Sequence, residues 1–440
     1  MTEKLPPSLS AKFKDSFAYE TIKDRLPVIL AKTVDAVHRL KNDIKEQHGE
    51  AGMEDLKSIN GKLSKLRNEV QTDKAIIPIH DGRLNFEVWN AYLEKITCDN
   101  DGRTPSWFQD AWLYVECYMY RRIQEAVEEC KVLKTLDPFQ GQKDQALLSS
   151  ADAVSILMEF LEGILGNLPS MDDSKFRPLF DQFFELDLWG NKCDLSISAG
   201  HDNFQTESPI AMLDVFRSFL LVDNLNQMWD DLHKLNKRKD GSVRLDIVLD
   251  NAGFELISDM CLAEFLLTSK MVSEVHFHPK RFPWFVSDTT KKDFIWTLET
   301  CRTSDNKAMA DFGQMWEERL VDGSWIIKEH DFWTLPHDYH DMETIAPDLY
   351  ADLSKSDLIL FKGDLNYRKL VGDRNWPHTT PFDVALRGFR PSALCALRTL
   401  KADVVVGLLE GQDRVACKHT ARWMVTGEFA VIQYCEKKSQ

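Results

Sequence analysis

The residues best suited to chemistry follow stretches that the sequence predicts to be β-strands. Three such strand ends carry acidic or amide side chains, namely Asp250 with Asn251, Asp288, and Asp364 with Asn366. Because the parallel strands of an open α/β sheet end along one edge, we expect these residues to converge there. Carboxylate and amide oxygens are hard ligands that suit Mg²⁺ or Mn²⁺ better than Zn²⁺. Each acid alone would also fit a helix cap, so the metal site depends on all three ends together.

A second group of residues near the strand ends is cationic. It consists of Lys362, Arg368, Lys369, Arg398 and Lys401. Arg and Lys both bind phosphate, and Gly363 would let the backbone of a following helix approach an anion closely. The alternative interpretation is a solvated rim of charges that balances nearby carboxylates. A divalent metal beside cations is the arrangement that phosphoryl transfer requires.

Motifs for several other chemistries are missing from the sequence. No G-x-G-x-x-G sequence follows the strand predicted at 243–249, where Gly253 stands alone, and this disfavours a dinucleotide or an ordinary S-adenosylmethionine pocket. The G-x-S-x-G, H-E-x-x-H and Walker sequences are also absent. His276 and His278 share one face of a predicted strand, and we expect surface histidines there rather than a metal site.

Length, charge and cysteine usage limit the class of protein. With 440 residues, 43% of them hydrophobic, the chain predicts two domains. A formal net charge of -16 argues against nucleic acid or an anionic membrane as the partner. No apolar run approaches the roughly 18 residues of a membrane span, and no signal peptide is expected. The nine scattered cysteines lack a Cys-x-x-Cys pair, so we expect reduced thiols and a cytoplasmic or nuclear protein.

The elements that must position these residues fall into a helical part and an α/β part. Apolar residues recur at helical spacing after residue 17, which predicts a helical domain over residues 1–190. Residues 191–240 are expected to be a helical connection. Over residues 241–440 strands and helices alternate, which predicts an α/β/α domain with a mostly parallel, Rossmann-like sheet that carries the metal and phosphate sites.

The apolar patterns also predict individual elements. Helices are expected at residues 22–40, 53–70, 86–96, 107–133, 145–164, 253–269, 291–300, 307–320 and 346–353, and residues 209–235 are expected to be mostly helical. Strands are expected at residues 243–249, 274–278, 283–287, 324–328, 357–361, 392–400, 404–408 and 429–434. Pro27 predicts a kink or a helix start within the first helical run.

Two polar segments outside the strand ends are further candidates. The first, on a predicted core helix, contains Glu116, Tyr118, Tyr120, Arg121 and Arg122. We interpret it as an ion-pair network, with a face toward the site as the alternative. The second is a break in the helical rhythm at 188–196, which we interpret as the join between the two parts of the chain. The alternative is that Asn191 and Asp194 reach the site on a loop.

Four ordered motifs resemble the damage-control phosphatases. They are D-N-A-G-F-E at 250–255, W-F-V-S-D ending at Asp288, G-D-L-N-Y-R-K at 363–369, and R-T-L-K at 398–401. The last is typical of the subfamily with an Arg-Thr-x-Lys motif, and residues 116–122 and 189–196 are similar to the same subfamily. The resemblance spans most of the chain and implies a helical N-terminal domain on an α/β/α domain.

The resemblance also implies an activity and its residues. The family hydrolyses sugar phosphates such as fructose 1-phosphate and fructose 6-phosphate in metabolite damage control. A divalent metal (Mn²⁺, Co²⁺, Ni²⁺ or Mg²⁺) would be held by Asp250, Asn251 and Asp288. The implied substrate-binding residues are Asp250, Asn251, Asp364, Leu365, Asn366, Tyr367, Arg368 and Lys401. Catalysis would rest on Asp250, Asp288 and Lys401, with attack by water favoured over attack by Asp250.

Two other functions stay open at this point. The subfamily includes a sugar phosphate phosphatase that is also named protein-glutamate, or acidic-residue, methyltransferase. This implies S-adenosylmethionine-dependent methylation of protein carboxylates, with Glu255 and Asp288 at the S-adenosylmethionine, although the lone Gly253 fits that poorly. A non-catalytic binding protein that uses its helical part is the other alternative. Under the main interpretation the partner is a small sugar phosphate, and neither nucleic acid nor a membrane is expected to bind.

Overall fold

A seven-stranded sheet forms the centre of the protein in the computed structural model, which describes residues 5–190, 192, 209–238 and 242–438. The strands are β1 (Leu220–Asp223), β2 (Arg244–Val248), β3 (Glu274–His278), β4 (Trp325–Ile327), β5 (Leu358–Lys362), β6 (Leu394–Thr399) and β7 (Ala430–Cys435). Their order is β1-β7-β6-β5-β2-β3-β4. Only β6 and β7 pair antiparallel, and the other pairs are parallel. The predicted α/β class with a mostly parallel sheet is confirmed.

Helices surround this sheet. Those described are α1 (Phe17–Glu20), α2 (Leu26–Arg39), α3 (Lys41–Gln71), α4 (Phe86–Asp99), α5 (Trp112–Glu128), α6 (Gln140–Ser149), α7 (Ala151–Leu165), α8 (Asp173–Leu188), α9 (Pro209–Phe216), α10 (Leu225–Arg238), α11 (Phe254–Thr268), α12 (Lys291–Arg302), α13 (Lys307–Asp322), α14 (Met342–Ile345), α15 (Pro347–Leu353), α16 (Gly363–Val371), α17 (Phe382–Ala385) and α18 (Gln412–His419). A π-helical turn, Thr21–Arg25, joins α1 to α2, in which Pro27 is the second residue. The predicted helix start at Pro27 is confirmed, because proline has no N–H to donate and fits only the first turn.

Both faces of the sheet are covered by helices. Alternate residues of a strand point to opposite faces. In β5, Leu358 and Leu360 share a core with helices α7, α8 and α11, whereas Ile359 and Phe361 share one with helices α2 to α5. Burial on both faces explains why the central strands are almost continuously apolar. The helical part therefore packs directly on the sheet that carries the predicted site.

Two predicted strands are wrong, and one strand was not predicted. The segment 209–235 is mostly helical, as expected, but it also contains β1, a short strand that pairs parallel with β7. Residues 283–287 are not a strand, since Phe285 and Val286 have φ angles of 44° and 70°. Residues 404–408 are apolar and β-branched but form no strand. There Val406 donates its N–H to Tyr367 instead of to a neighbouring strand. The division at residues 190 and 240 stays a prediction.

The polar residues of β2 and β3 form a buried network, so the expectation of surface histidines at 276 and 278 is wrong. His278 is fully buried and its Nε2 lies 2.7 Å from Asp246 Oδ1. Arg244 donates to the same carboxylate at 2.8 Å. Burial opposes ionisation of Asp246, but hydrogen bonds from His278 and Arg244 prevail and lower its pKa to about 2.

Two class predictions concern membranes and thiols. No helix within the described ranges has the length and apolar character needed to cross a membrane. The cysteines that the structure describes are all free thiols, as expected from their number and spacing.

Candidate active site

A polar cleft of about 160 Å³ lies beyond the carboxyl ends of β2, β5 and β6. The predicted metal and S-adenosylmethionine residues Asp250, Asn251, Glu255 and Asp288 all line it. The predicted substrate-binding residues Asp364, Leu365, Arg368 and Lys401 line it as well. Helix α5 contributes Trp112 and Glu116, so the cleft is bounded by both parts of the chain.

The loop after β2 brings two carboxylates and an amide together. Gly253, with φ 80°, precedes α11 and turns the chain so that Glu255 faces back toward Asn251. Asn251 Nδ2 donates to Asp250 Oδ2 at 2.8 Å and to Glu255 Oε2 at 2.9 Å. Its amide oxygen accepts a hydrogen bond from Ser287 Oγ at 2.5 Å. Asn251 therefore holds the two carboxylates at the cleft.

Asp288 reaches the same place from the loop after β3, and not from the end of a strand of its own. Backbone hydrogen bonds join this loop to the one after β2. Ala252 N–H donates to the Ser287 carbonyl at 2.8 Å, and Thr289 N–H donates to the Asp250 carbonyl at 2.7 Å. The predicted convergence at the sheet edge thus occurs by a different route.

The crowded carboxylates lack sufficient positive charge. Burial and the neighbouring Glu255 and Asp288 raise the pKa of Asp250 well above its usual range. Burial raises the pKa of Asp288 to about 6, against the opposing effect of Lys280. Lys280 Nζ is 3.5 Å from Asp288 Oδ2, and no hydrogen bond within the described ranges satisfies that buried oxygen. A bound cation would supply the missing charge.

The donor set fits a hard divalent cation. It consists of two carboxylates and one amide, whose side chains all carry oxygen. The described residues contain no cluster of three or more His, Cys, Asp or Glu side chains that could hold a metal ion. The predicted site has only two such side chains, Asp250 and Asp288, because its third predicted ligand is the amide of Asn251. The residues present therefore suit Mn²⁺ or Mg²⁺ better than they suit Zn²⁺.

The opposite part of the cleft is the start of α16. Gly363 begins this helix with φ 79° and lies against Asp250. Asp364 accepts hydrogen bonds from Arg398 Nε at 2.8 Å and from the Lys401 backbone N–H at 3.0 Å. Burial opposes ionisation of Asp364, but Arg398 and Arg368 lower its pKa. Asp364 thereby fixes the turn that carries Lys401, whose side chain is exposed.

Two predicted substrate-binding side chains do not line the cleft. The amide of Asn366 donates to the carbonyls of Lys362 at 2.7 Å and Leu249 at 3.2 Å. The Tyr367 hydroxyl donates to Gln433 at 2.7 Å. Both side chains are buried and stabilise the loops around the cleft.

Most of the predicted cations are held in buried networks. Arg368 donates to Glu116 at 2.7 Å and to Asp373 at 2.9 Å, and its guanidinium lies 3.7 Å from the Trp112 ring centroid. Lys362 pairs with Asp187 and Asp259. The alternative of a solvated rim is wrong for the buried members of this group, which are Lys362, Arg368, Lys369 and Arg398.

The polar cluster on α5 has two roles. Glu116 faces the cleft and anchors Arg368, as the alternative interpretation expected. Arg121 and Arg122 form the ion-pair network of the main interpretation, with Asp81 and with Glu125.

Some residues at the cleft or next to it were not predicted from the sequence. Lys280, which lies next to Asp288, follows β3 by two residues, and the rule that located Asp250 at a strand end would also have found it. Arg25 comes from the distant π-helical turn, and the local sequence carries no signal for its position at the cleft. Asn191 and Asp194 lie outside the described residues.

Comparison with known proteins identifies the family of the chain. The family described as "Damage-control phosphatase ARMT1-like domain" matches residues 21–415. Proteins named damage-control phosphatase ARMT1 are similar along the whole chain. The Xenopus tropicalis protein is 48% identical over 432 residues, covering 97% of this chain and 98% of the relative. The Danio rerio protein is 47% identical over 435 residues, covering 98% of this chain and 97% of the relative. The Homo sapiens protein is 44% identical over 435 residues, covering 98% of each chain.

These matches confirm the family predicted from the four motifs. The matched range includes every motif residue from Asp250 to Lys401 and the π-helical turn at the start of the helical part. The chain belongs to the ARMT1-like family of damage-control phosphatases.

Proposed function

We propose that the protein is a divalent-metal-dependent phosphatase that hydrolyses sugar phosphates such as fructose 1-phosphate and fructose 6-phosphate in metabolite damage control. One observation carries the proposal. A cluster of underneutralised carboxylates, Asp250 and Asp288, shares a small cleft with a helix N-terminus at Gly363 and with the exposed Lys401. Carboxylates alone would repel a phosphate, so the arrangement is suited to a phosphate that binds together with a cation.

Asp250, Asn251 and Asp288 would hold the cation. The oxygen ligands suit Mn²⁺ or Mg²⁺. The resemblance to the family adds Co²⁺ and Ni²⁺ as candidates. When bound, the cation would supply polarisation of the phosphoryl group and a lower pKa for an attacking water.

The residues of the chain would orient the phosphate and stabilise its charge. The backbone N–H groups at the start of α16 are suited to the phosphoryl oxygens, because a helix N-terminus is partially positive. Lys401 would stabilise the negative charge that develops in the transition state. Arg368 is braced by Glu116 and Asp373, so its main contribution would be to hold the first turns of α16 in place. Attack by Asp250, giving an aspartyl-phosphate, is the less favoured variant.

Two contacts favour this activity over methyl transfer. Glu255 is engaged by Asn251, and a Cβ on Gly253 would lie 3.3 Å from Ala146. These contacts leave little room for an adenosyl group between β2 and α11.

The test is a phosphate-release assay on a panel of sugar phosphates. The wild-type protein is assayed after EDTA treatment, with and without Mn²⁺, beside Asp250→Asn and Asp288→Asn. Asp152→Asn is the control, because Asp152 is exposed on α7. We expect release that requires Mn²⁺, is lost by about 10³-fold in both site variants, and is unchanged in the control.

Two results would contradict the proposal. Phosphate release that survives EDTA and Asp250→Asn would exclude a metal site at this cleft. Methyl transfer from S-adenosylmethionine to protein carboxylates, without any phosphate release, would favour the alternative function.

A further inference from the structure

Arg25 lines the cleft from the helical part of the chain. It is the last residue of the π-helical turn Thr21–Arg25, and its side chain is exposed. π-Helical turns are rare and are frequent at functional sites. Pro27 has no N–H to donate, so the regular α-helical hydrogen-bond pattern is interrupted at this turn. We propose that Arg25 binds the hydroxyl groups of the sugar and is a specificity residue for phosphorylated sugars, an inference that rests on the proposed phosphatase function.

The charges at the cleft support this role. Among the residues that the structure describes, four cationic ones line it, namely Arg25, Lys362, Arg368 and Lys401. Lys362 and Arg368 are buried and form ion pairs with carboxylates. Within the described part of the chain, no ion pair or hydrogen bond engages the guanidinium of Arg25 or the amine of Lys401. These two side chains are therefore available to a ligand.

Arg25 lies near Tyr120 of α5. Burial raises the pKa of Tyr120 well above its usual range, and the positive charge of Arg25 opposes this effect. Tyr120 stacks on Phe285 with 4.6 Å between the ring centroids. Phe285 lines the cleft three residues before Asp288. Arg25 thus belongs to the side of the cleft formed by α5 and the loop after β3.

This position suits the part of the substrate that does not react. Asp250 and Asp288 are buried, whereas Arg25 is exposed. A phosphoryl group bound at the carboxylates would direct its leaving group outward, toward the exposed residues. A guanidinium presents five N–H donors in a fixed fork, which matches adjacent hydroxyl oxygens on a sugar.

The test compares two substrates with the same enzyme. Wild type, Arg25→Ala, Arg25→Lys and Lys23→Ala are assayed with fructose 1-phosphate and with p-nitrophenyl phosphate, which carries no sugar hydroxyl. Lys23 is the control, because it is exposed on the same turn, with its amine over the Tyr19 ring. Thermal melting is measured for each variant to show that the fold is retained.

We expect Arg25→Ala to raise the KM for fructose 1-phosphate about 10-fold while kcat changes less than about threefold. The increase should be smaller for p-nitrophenyl phosphate, partly reversed by Arg25→Lys, and absent in Lys23→Ala. An equal rise in KM for both substrates, or an unchanged KM for fructose 1-phosphate in an active enzyme, would refute the role of Arg25. Neither result would contradict the proposed phosphatase function. A wild-type protein that releases phosphate from neither substrate would overturn the proposed function and this inference with it.

Discussion

Gly363 and Asp250 approach each other so closely that only glycine fits at position 363. A Cβ on Gly363 would lie 1.8 Å from Asp250 Oδ2 and 2.2 Å from its Cγ. The two residues follow neighbouring parallel strands, in which Val248 of β2 stands opposite Phe361 of β5. The carboxylate that is proposed to hold the metal therefore lies directly against the start of the helix that is proposed to bind the phosphate.

Gly363→Ala is expected to abolish activity. The new methyl group would displace the Asp250 carboxylate, and the φ of 79° would strain an alanine backbone. We expect phosphate release to fall by at least about 100-fold, since small displacements of reacting groups cost that much. The melting temperature of the variant should also rise less on addition of Mn²⁺ than that of wild type.

Gly323→Ala is the matched control for backbone strain. Gly323 has φ 82°, and nothing lies within 4 Å of a Cβ built there. It should lose about 1–2 kcal/mol of stability from strain alone and keep its activity. Full activity in Gly363→Ala would mean that the close approach to Asp250 has no role in the reaction.

The sequence was sufficient to predict that Asp250, Asn251 and Asp288 converge. Parallel strands end along one edge, and this constraint holds whichever loop carries each residue. The route of Asp288 was not predictable, because the aromatic and β-branched residues 284–286 favour a strand by composition. The loop in fact turns through positive φ at Phe285 and Val286, which depends on its tertiary contacts.

The roles of the side chains at the start of α16 could also not be predicted from the sequence. Which faces of a helix meet the ligand or the core depends on how the helix is rotated against the sheet. Asn366 and Tyr367 consequently hold loops, although their neighbours Leu365 and Arg368 line the cleft. Strand β1 was missed because four apolar residues between helical patterns carry too little periodicity to distinguish a strand.

Replacement of Lys401 is expected to lower activity, whereas replacement of Arg368 is expected to lower stability. Lys401 is exposed, so Lys401→Met should lower kcat/KM by about 10²-fold or more and leave the melting temperature unchanged. Arg368 is buried between Glu116 and Asp373, so Arg368→Met should cost about 3–5 kcal/mol of stability by leaving carboxylates unpaired. Chemical denaturation and steady-state kinetics on both variants provide the comparison. Loss of stability in Lys401→Met would indicate that its amine supports the fold instead.

Lys280 is expected to compete with the metal for the same negative charge. It is buried, donates to the Leu249 carbonyl and lies 3.5 Å from Asp288 Oδ2. Lys280→Met should therefore destabilise the metal-free protein by about 3–5 kcal/mol and increase the gain in melting temperature on adding Mn²⁺.

Arg121→Met is the control for Lys280→Met. It also breaks a buried ion pair, with Asp81, but Arg121 does not line the cleft. It should lose stability without a larger response to Mn²⁺. An equal response to Mn²⁺ in the two variants would show that the charge of Lys280 is not coupled to the metal site.

His337 is expected to make the protein sensitive to mild acid. Burial, with the nearby Lys369 and Lys95, lowers its pKa to about 4, and its ring packs edge-on against Tyr92 at 4.6 Å. An unfolded histidine has a pKa of about 6.5, so the folded state favours the neutral ring. Its contribution is complete above pH 6.5 and is lost as the pH falls toward 4. Between pH 7 and pH 5 the loss should reach about 2 kcal/mol.

His337→Phe should remove this part of the acid sensitivity, because phenylalanine keeps the aromatic contact and cannot be protonated. The measurement is urea denaturation at pH 7 and pH 5 in EDTA, so that metal binding does not contribute. His38→Phe is the control, since His38 is exposed on α2 and its ring meets water before and after unfolding. If His337→Phe and wild type lose the same free energy of unfolding over this range, other buried groups, such as His276, account for the acid sensitivity.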